Sequence, residues 1–217
     1  MKKLMFLAII TGFSSVFSQE STQDPKAKVI LDELSAKTRA YKSIKAEFAL
    51  TLEDREHKKE TQTGLVQIKG EKYKLEIKGQ DVISDGKTVW TYLKDAKEVQ
   101  INNVDAESKD AVNPSNIFTM YETGFKYKFD KEETFNGKKV QTIDLYPSIP
   151  DKKKYHTVKL MVDKVKKQIA GVKMLMKDGS TQLYSIKTFS PNGDMKDALF
   201  VFDAKTHPGV EIVDLRE

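Results

Sequence analysis

Residues 84–92 read Ser84-Asp85-Gly86-Lys87-Thr88-Val89-Trp90-Thr91-Tyr92, a tight turn joined to the only tryptophan of the chain. Asp85-Gly86 lies between residues 80–84 and 88–93, two runs rich in β-formers, so it predicts a hairpin whose glycine takes a positive φ. Alternation along the second run sends Val89, Thr91 and Leu93 to one face and Thr88, Trp90 and Tyr92 to the other. Both faces then carry large apolar or aromatic groups. Such a sheet needs cover on both sides, from packed core on one and from a lid or bound ligand on the other; a strand buried inside an ordinary sandwich satisfies the same pattern.

Working outward, residues 1–18 have the layout of a secretory signal: Lys2-Lys3, the apolar run 4–10, then a small-residue exit at Val16-Phe17-Ser18 before Gln19. The mature chain, residues 19–217, is expected to form one domain, because no composition break divides it and its length supports a single core. No later stretch is apolar for long enough to span a bilayer as a helix, which predicts a soluble protein beyond the inner membrane. The chain has no cysteine, so disulfides, acylated thiols and thiol chemistry are excluded. With 37 basic side chains less Lys2 and Lys3, against 32 acidic ones, the mature charge is about +3. That is too small to mark a nucleic-acid binder. In residues 69–78 the charges Lys72, Lys74, Glu76 and Lys78 interleave with Tyr73, Leu75 and Ile77, the signature of a sheet with a solvated face.

Residues 25–41 carry Val29, Ile30, Leu34, Thr38 and Tyr41 at helical spacing, with Asp24 as N-cap and Pro25 at the first helical position. This amphipathic helix must lie on something apolar. A long period-two strand follows, in which Ile44, Ala46, Phe48, Leu50 and Leu52 alternate with Lys45, Glu47, Ala49, Thr51 and Glu53. Residues 61–102 then read as a meander of strands 61–69, 72–78, 80–84, 88–93 and 97–102. Residues 104–124 interrupt it, with Asn113 and Pro114 opening a short helix whose stripe is Ile117, Phe118, Met120 and Tyr121. A second meander comprises 125–135, 138–146, 155–163, 168–176 and 181–189, with hairpin turns at Asn136-Gly137 and Asp178-Gly179, and a last strand at 199–202. Ten or eleven strands are too many for a flat sheet, so a strongly coiled sheet or partly closed barrel is expected.

Catalytic chemistry finds little to hold. His57, His156 and His207 sit in charged or turn contexts without a spaced ligand partner, and no nucleophile elbow, Walker loop or dinucleotide-binding glycine run is present. Asp85, the best-placed carboxylate, is accounted for by its turn. No enzyme, metal or cofactor is expected.

Residues 84–90 with Tyr92 resemble the strand-turn-strand signature of the periplasmic lipoprotein carrier family, the LolA type. Three further features come in matching order: residues 43–48 after the first helix, residues 64–75 before the signature, and Phe200-Val201-Phe202 followed by Pro208-Gly209-Val210. The resemblance thus covers the mature chain. It implies an unclosed, half-open antiparallel β-barrel, mainly β with helices, with a helical lid over a hydrophobic cavity. It further implies a monomeric carrier that receives the acyl chains of lipoproteins from an inner-membrane ABC-type release complex and delivers them to an outer-membrane acceptor. On that footing the cavity is expected at Phe48, Leu50, Leu75, Val89, Trp90 and Tyr92, and the lid at Ile30, Leu34, Ile117, Phe118 and Met120. The lid tether and mouth are expected at Lys69 and Tyr73. The chain departs from the family at Lys69-Gly70, where an Arg-Pro pair is common and the arginine ties the lid to the barrel. Lysine is a point charge without a fork, so the tether should be weaker or placed elsewhere.

Two other readings compete with lipoprotein delivery. A carrier or sensor of another amphiphile, such as a glycolipid, polyketide or lipid precursor, needs the same cavity. A hydrolase or isomerase working in that cavity lacks its motifs.

Overall fold

The computed structural model describes residues 23–104 and 118–216. One helix, α1 (Pro25–Arg39), precedes twelve strands in a single sheet. They are β1 (Ile44–Glu53), β2 (Lys59–Lys69), β3 (Lys72–Ile77), β4 (Gln80–Ser84), β5 (Thr88–Leu93), β6 (Glu98–Asn103), β7 (Phe125–Phe135), β8 (Lys138–Pro147), β9 (Tyr155–Asp163), β10 (Ile169–Met176), β11 (Thr181–Pro191) and β12 (Glu211–Asp214). Their spatial order is β12-β6-β5-β4-β3-β2-β1-β11-β10-β9-β8-β7, so β12 and β7 are the end strands, they do not pair with each other, and the barrel does not close. Every pair is antiparallel except β12 with β6. The expected half-open architecture is present, made from two meanders joined where β1 pairs with both β2 and β11.

Local chemistry sets the elements. Asp24 caps α1 through Oδ1, which accepts the amides of Lys26 (2.8 Å) and Ala27 (3.3 Å). Its Oδ2 accepts the amide of Phe129 on β7 at 3.0 Å, tying the helix start to the sheet edge. That bond and the capping amides hold the Asp24 carboxyl below its ordinary range. In the 84–92 hairpin Gly86 has φ +93°, Asp85 Oδ1 accepts the amides of Lys87 and Thr88 at 2.8 Å, and Ser84 Oγ donates to the Thr88 carbonyl. The turn is therefore closed by side chains as well as by glycine freedom.

The main core lies between α1 and one face of the sheet, hereafter the inner face. Ala27, Ile30, Leu31 and Leu34 of the helix are all buried in it, against Ala46, Phe48, Val66, Ile143, Leu145, Val158, Leu160 and Val172. Three buried aliphatic helix side chains at roughly 1.5–3 kcal/mol each hold α1 firmly. A second, smaller cluster of Val140, Met161 and Ala170 under Phe135 and Leu183 lies elsewhere, on β7–β11.

One expectation needs correction. Residues 199–202 do not make a strand: Asp197–Phe200 is a 3-10 turn, with Phe200 fully buried. The last strand is instead β12, whose partner β6 lies more than a hundred residues earlier. The expected helix from Pro114 falls mostly outside the described residues. Beyond Phe118 the chain makes a 3-10 turn at Met120–Glu122, ended by Gly124 at φ +80°.

Candidate functional site

Register fixes which side chains share the inner face. Three rows run from β1 to β6: Ile44–Ile68–Tyr73–Ser84–Val89–Asn102, Ala46–Val66–Leu75–Val82–Thr91–Gln100, and Phe48–Gly64–Ile77–Gln80–Leu93–Glu98. Apart from Gly64, their β1 and β2 ends are buried, whereas Leu75, Ile77, Val82, Val89, Thr91 and Leu93 are only half-buried. Gly64 is required by close approach: a Cβ there would stand 2.4 Å from the Phe48 ring and 2.9 Å from Ile77. Phe48 consequently lies flat across β2, and its ring sits 6.0 Å from Tyr184 of β11.

Phe48, Leu50, Leu75 and Val89 thus share one apolar face. Tyr73 lies on it too, 5 % exposed, and burial pushes its hydroxyl up. Trp90 and Tyr92 do not. They pair with Ile83 and Asp81 on one side and Ile101 and Val99 on the other, on the outer face. There Tyr92 packs against Phe202 (5.6 Å) and His207 (4.6 Å), which stack on each other. Alternation reveals that a strand has two apolar faces, but it cannot say which one the C-terminal segment will take.

The inner face is covered by α1 and by residues 118–122. Ile30 and Leu34 are buried in the core, Phe118 is 4 % exposed and packs edge-on to Phe189 (5.8 Å), and Met120 is half-buried against the same cluster. Ile117 falls outside the described residues. Glu122 ties the two covering pieces together by binding α1: Arg39 donates to it from Nε (3.1 Å) and Nη2 (2.5 Å), and Ser35 Oγ donates to its Oε1. Arg39, the stronger influence, together with Ser35, lowers the Glu122 carboxyl against the opposing pull of burial.

Lys69 is not that tether. It projects from the outer face, where its Nζ donates to the Met195 carbonyl (2.9 Å) and to Asp197 (3.0 Å), and Lys72 pairs with the same carboxylate at 3.1 Å. Lys69 therefore fastens the C-terminal segment. Sequence reading missed Arg39 and Glu122 because 83 residues separate them, and nothing local marks either as a partner.

Among the described residues no helix is long and apolar enough to cross a membrane. A cleft of about 380 Å³ lies at the far strand ends between Leu52, Glu60 and Gln182, with charged walls at Glu53, Asp54, Lys58 and Lys59. Its lining suits water better than a hydrocarbon chain.

Comparison with known proteins adds a family. The model of the family described as outer membrane lipoprotein carrier protein LolA matches residues 39–203. None of the curated protein sequences matches the chain. Among solved structures, an uncharacterized conserved protein from Thermus thermophilus superposes with a TM-score of 0.58 at 12% identity, over 87% of this chain and 99% of that one. The Mycobacterium tuberculosis lipoprotein LppX superposes with a TM-score of 0.50 at 13% identity, over 80% of this chain and 99% of that one. At such identities the likeness is one of fold.

Proposed function

The chain belongs to the outer membrane lipoprotein carrier (LolA) family, and from that premise we propose that it is a periplasmic carrier that holds the acyl chains of lipoproteins against its inner face. In this reading residues 1–18 direct export and are removed, and the mature monomer receives its cargo from an inner-membrane ABC-type complex. It then surrenders the cargo to an acceptor at the outer membrane, without chemistry of its own. The observation that carries the proposal is the inner face itself: apolar rows on an unclosed sheet, covered by a helix and a short turn rather than by a second sheet.

Magnitudes favour a displaceable turn. Lifting Phe118 and Met120 off the core forfeits about 1.5–3 kcal/mol for each fully buried side chain, whereas an acyl chain of about fifteen methylenes at ~0.8 kcal/mol each supplies about 12 kcal/mol when wholly buried. Cargo can therefore open that cover. The apolar surface exposed on opening also lowers net affinity, which a carrier needs if it is to release. Removing α1 as well would cost several kcal/mol more, so the turn moves and the helix stays.

Native purification from the periplasm followed by mass spectrometry of the extracted ligand tests this. Recovery of acylated lipoproteins supports delivery. Recovery of a glycolipid or lipid precursor reassigns the cargo to another amphiphile, and a chain that neither retains lipid nor binds a synthetic lipopeptide refutes the carrier role.

A further inference from the structure

The three inner-face rows change character as they run. Ile44, Ala46 and Phe48 on β1 give way through Leu75 and Val82 to Asn102, Gln100 and Glu98 on β6, so the face turns from buried hydrocarbon to half-buried polar groups within six strands. Alternating β6 could have pointed Val99 and Ile101 inward; it sends them to the outer face instead. Among the described residues the Thr91 hydroxyl and the Asn102 amide have no hydrogen-bond partner. Gln100 spends one amide N–H on Glu98 Oε1 at 2.8 Å. Glu98 has no cation beside it among those residues, and β12 sets Glu211 next to it in register, on the same face. A ligand lying along the rows would place its chains over β1–β4 and its head over β5 and β6.

We propose that Thr91, Gln100, Asn102 and Glu98 form the subsite for the cargo's polar head, selecting a head that offers hydrogen-bond donors and carries no net negative charge. The inference rests on the carrier reading above and specifies its cargo. A glyceryl-cysteinyl peptide has such a head: amide N–H groups to give, and ester and amide carbonyls to receive the amides of Gln100 and Asn102. A phospholipid phosphate does not. It would meet two carboxylates at the sheet edge, the half-buried Glu98 and the exposed Glu211, and partial burial weakens the screening that water gives around Glu98. The polar stripe thus separates two ligands with identical tails, which the apolar rows cannot do.

The test uses the mature protein and three probes of equal chain length: a dipalmitoyl-cysteinyl peptide of neutral sequence, dipalmitoyl phosphatidylglycerol, and hexadecanol, each displacing bis-ANS. The wild type should bind the lipopeptide at least tenfold tighter than the phospholipid. Glu98→Gln should narrow that preference at least threefold by tightening the phospholipid. Gln100→Leu with Asn102→Leu should weaken the lipopeptide several-fold while leaving hexadecanol binding unchanged, which also reports that the fold is intact. Equal binding of lipopeptide and phospholipid, indifferent to Glu98→Gln, overturns the head subsite and leaves the carrier reading standing. A wild type that binds none of the three overturns both.

Discussion

The sheet carries a cover on each face, and the two covers are built by different means. On the outer face the C-terminal segment brings Phe200 to full burial, packs Phe202 and His207 on Tyr92, and is pinned by Lys69. It then joins the sheet as β12, whose ladder continues into the Leu215 amide donating to the Ile101 carbonyl. On the inner face α1 and residues 118–122 rest on side chains. Their backbone reaches the sheet at the helix start, through the Gln23–Tyr127 bridge and the Asp24 bonds, and beside β8 at Gly124, whose carbonyl accepts the Ser148 amide. A cover bonded through the backbone leaves only when strands separate. One held by side chains lifts in pieces, each with its own modest cost.

That contrast can be broken by substitution. Phe200→Ala should have the largest effect, lowering global stability by about 3–5 kcal/mol in urea unfolding with an unchanged m value, because it empties a fully enclosed site. Phe118→Glu places a charge against apolar wall as well, yet the chain should stay folded with the turn raised and bis-ANS binding altered. Cooperative unfolding of this variant with loss of the near-UV signal would make the inner cover as permanent as the outer one. Next in size, Asp24→Ala removes the helix cap and the bond to Phe129, and should cost about 1–2 kcal/mol in the same denaturation experiment.

Smaller changes sharpen the comparison. Glu122→Gln should quicken hydrogen exchange at residues 118–122 and leave β12 amides unaffected; equal acceleration at both would show the covers to be coupled. Glu122 is held below its ordinary range in the folded state. The stability it contributes is therefore present above the unfolded carboxyl's pKa of about 4.3 and is lost as pH falls through the lowered folded value. Acidification through that lowered folded value should reproduce the Glu122→Gln exchange pattern in the wild type. The smallest effect belongs to Trp90: on the outer face its emission should shift little when a lipopeptide binds, and a large shift would place ligand under the C-terminal segment.

The sequence made much of the frame legible. Residues 80–84 and 88–93 match β4 and β5 in full, because Asp85-Gly86 is a strong turn signal and alternation on both sides is unbroken. β12 escaped since Glu211–Asp214 is short and gains its partner from a strand far away in sequence. Phe200 and Phe202, which invite a strand, are placed by what they bury against rather than by local propensity. For the same reason the residues expected at the cavity divided between two faces: Phe48, Leu50, Leu75 and Val89 come from one continuous period-two face, while Trp90 and Tyr92 needed knowledge of the C-terminal segment. Tethers such as Arg39 with Glu122 leave no pattern in a single sequence.

Photo-crosslinking in intact cells tests the central claim most directly, with a photoreactive residue in place of Leu75 on the inner face or of Ile83 on the outer face. Lipoproteins should be captured from position 75 and not from position 83. Capture from position 83 alone, or from neither position while the protein is folded and exported, would contradict an account in which cargo lies on the inner face.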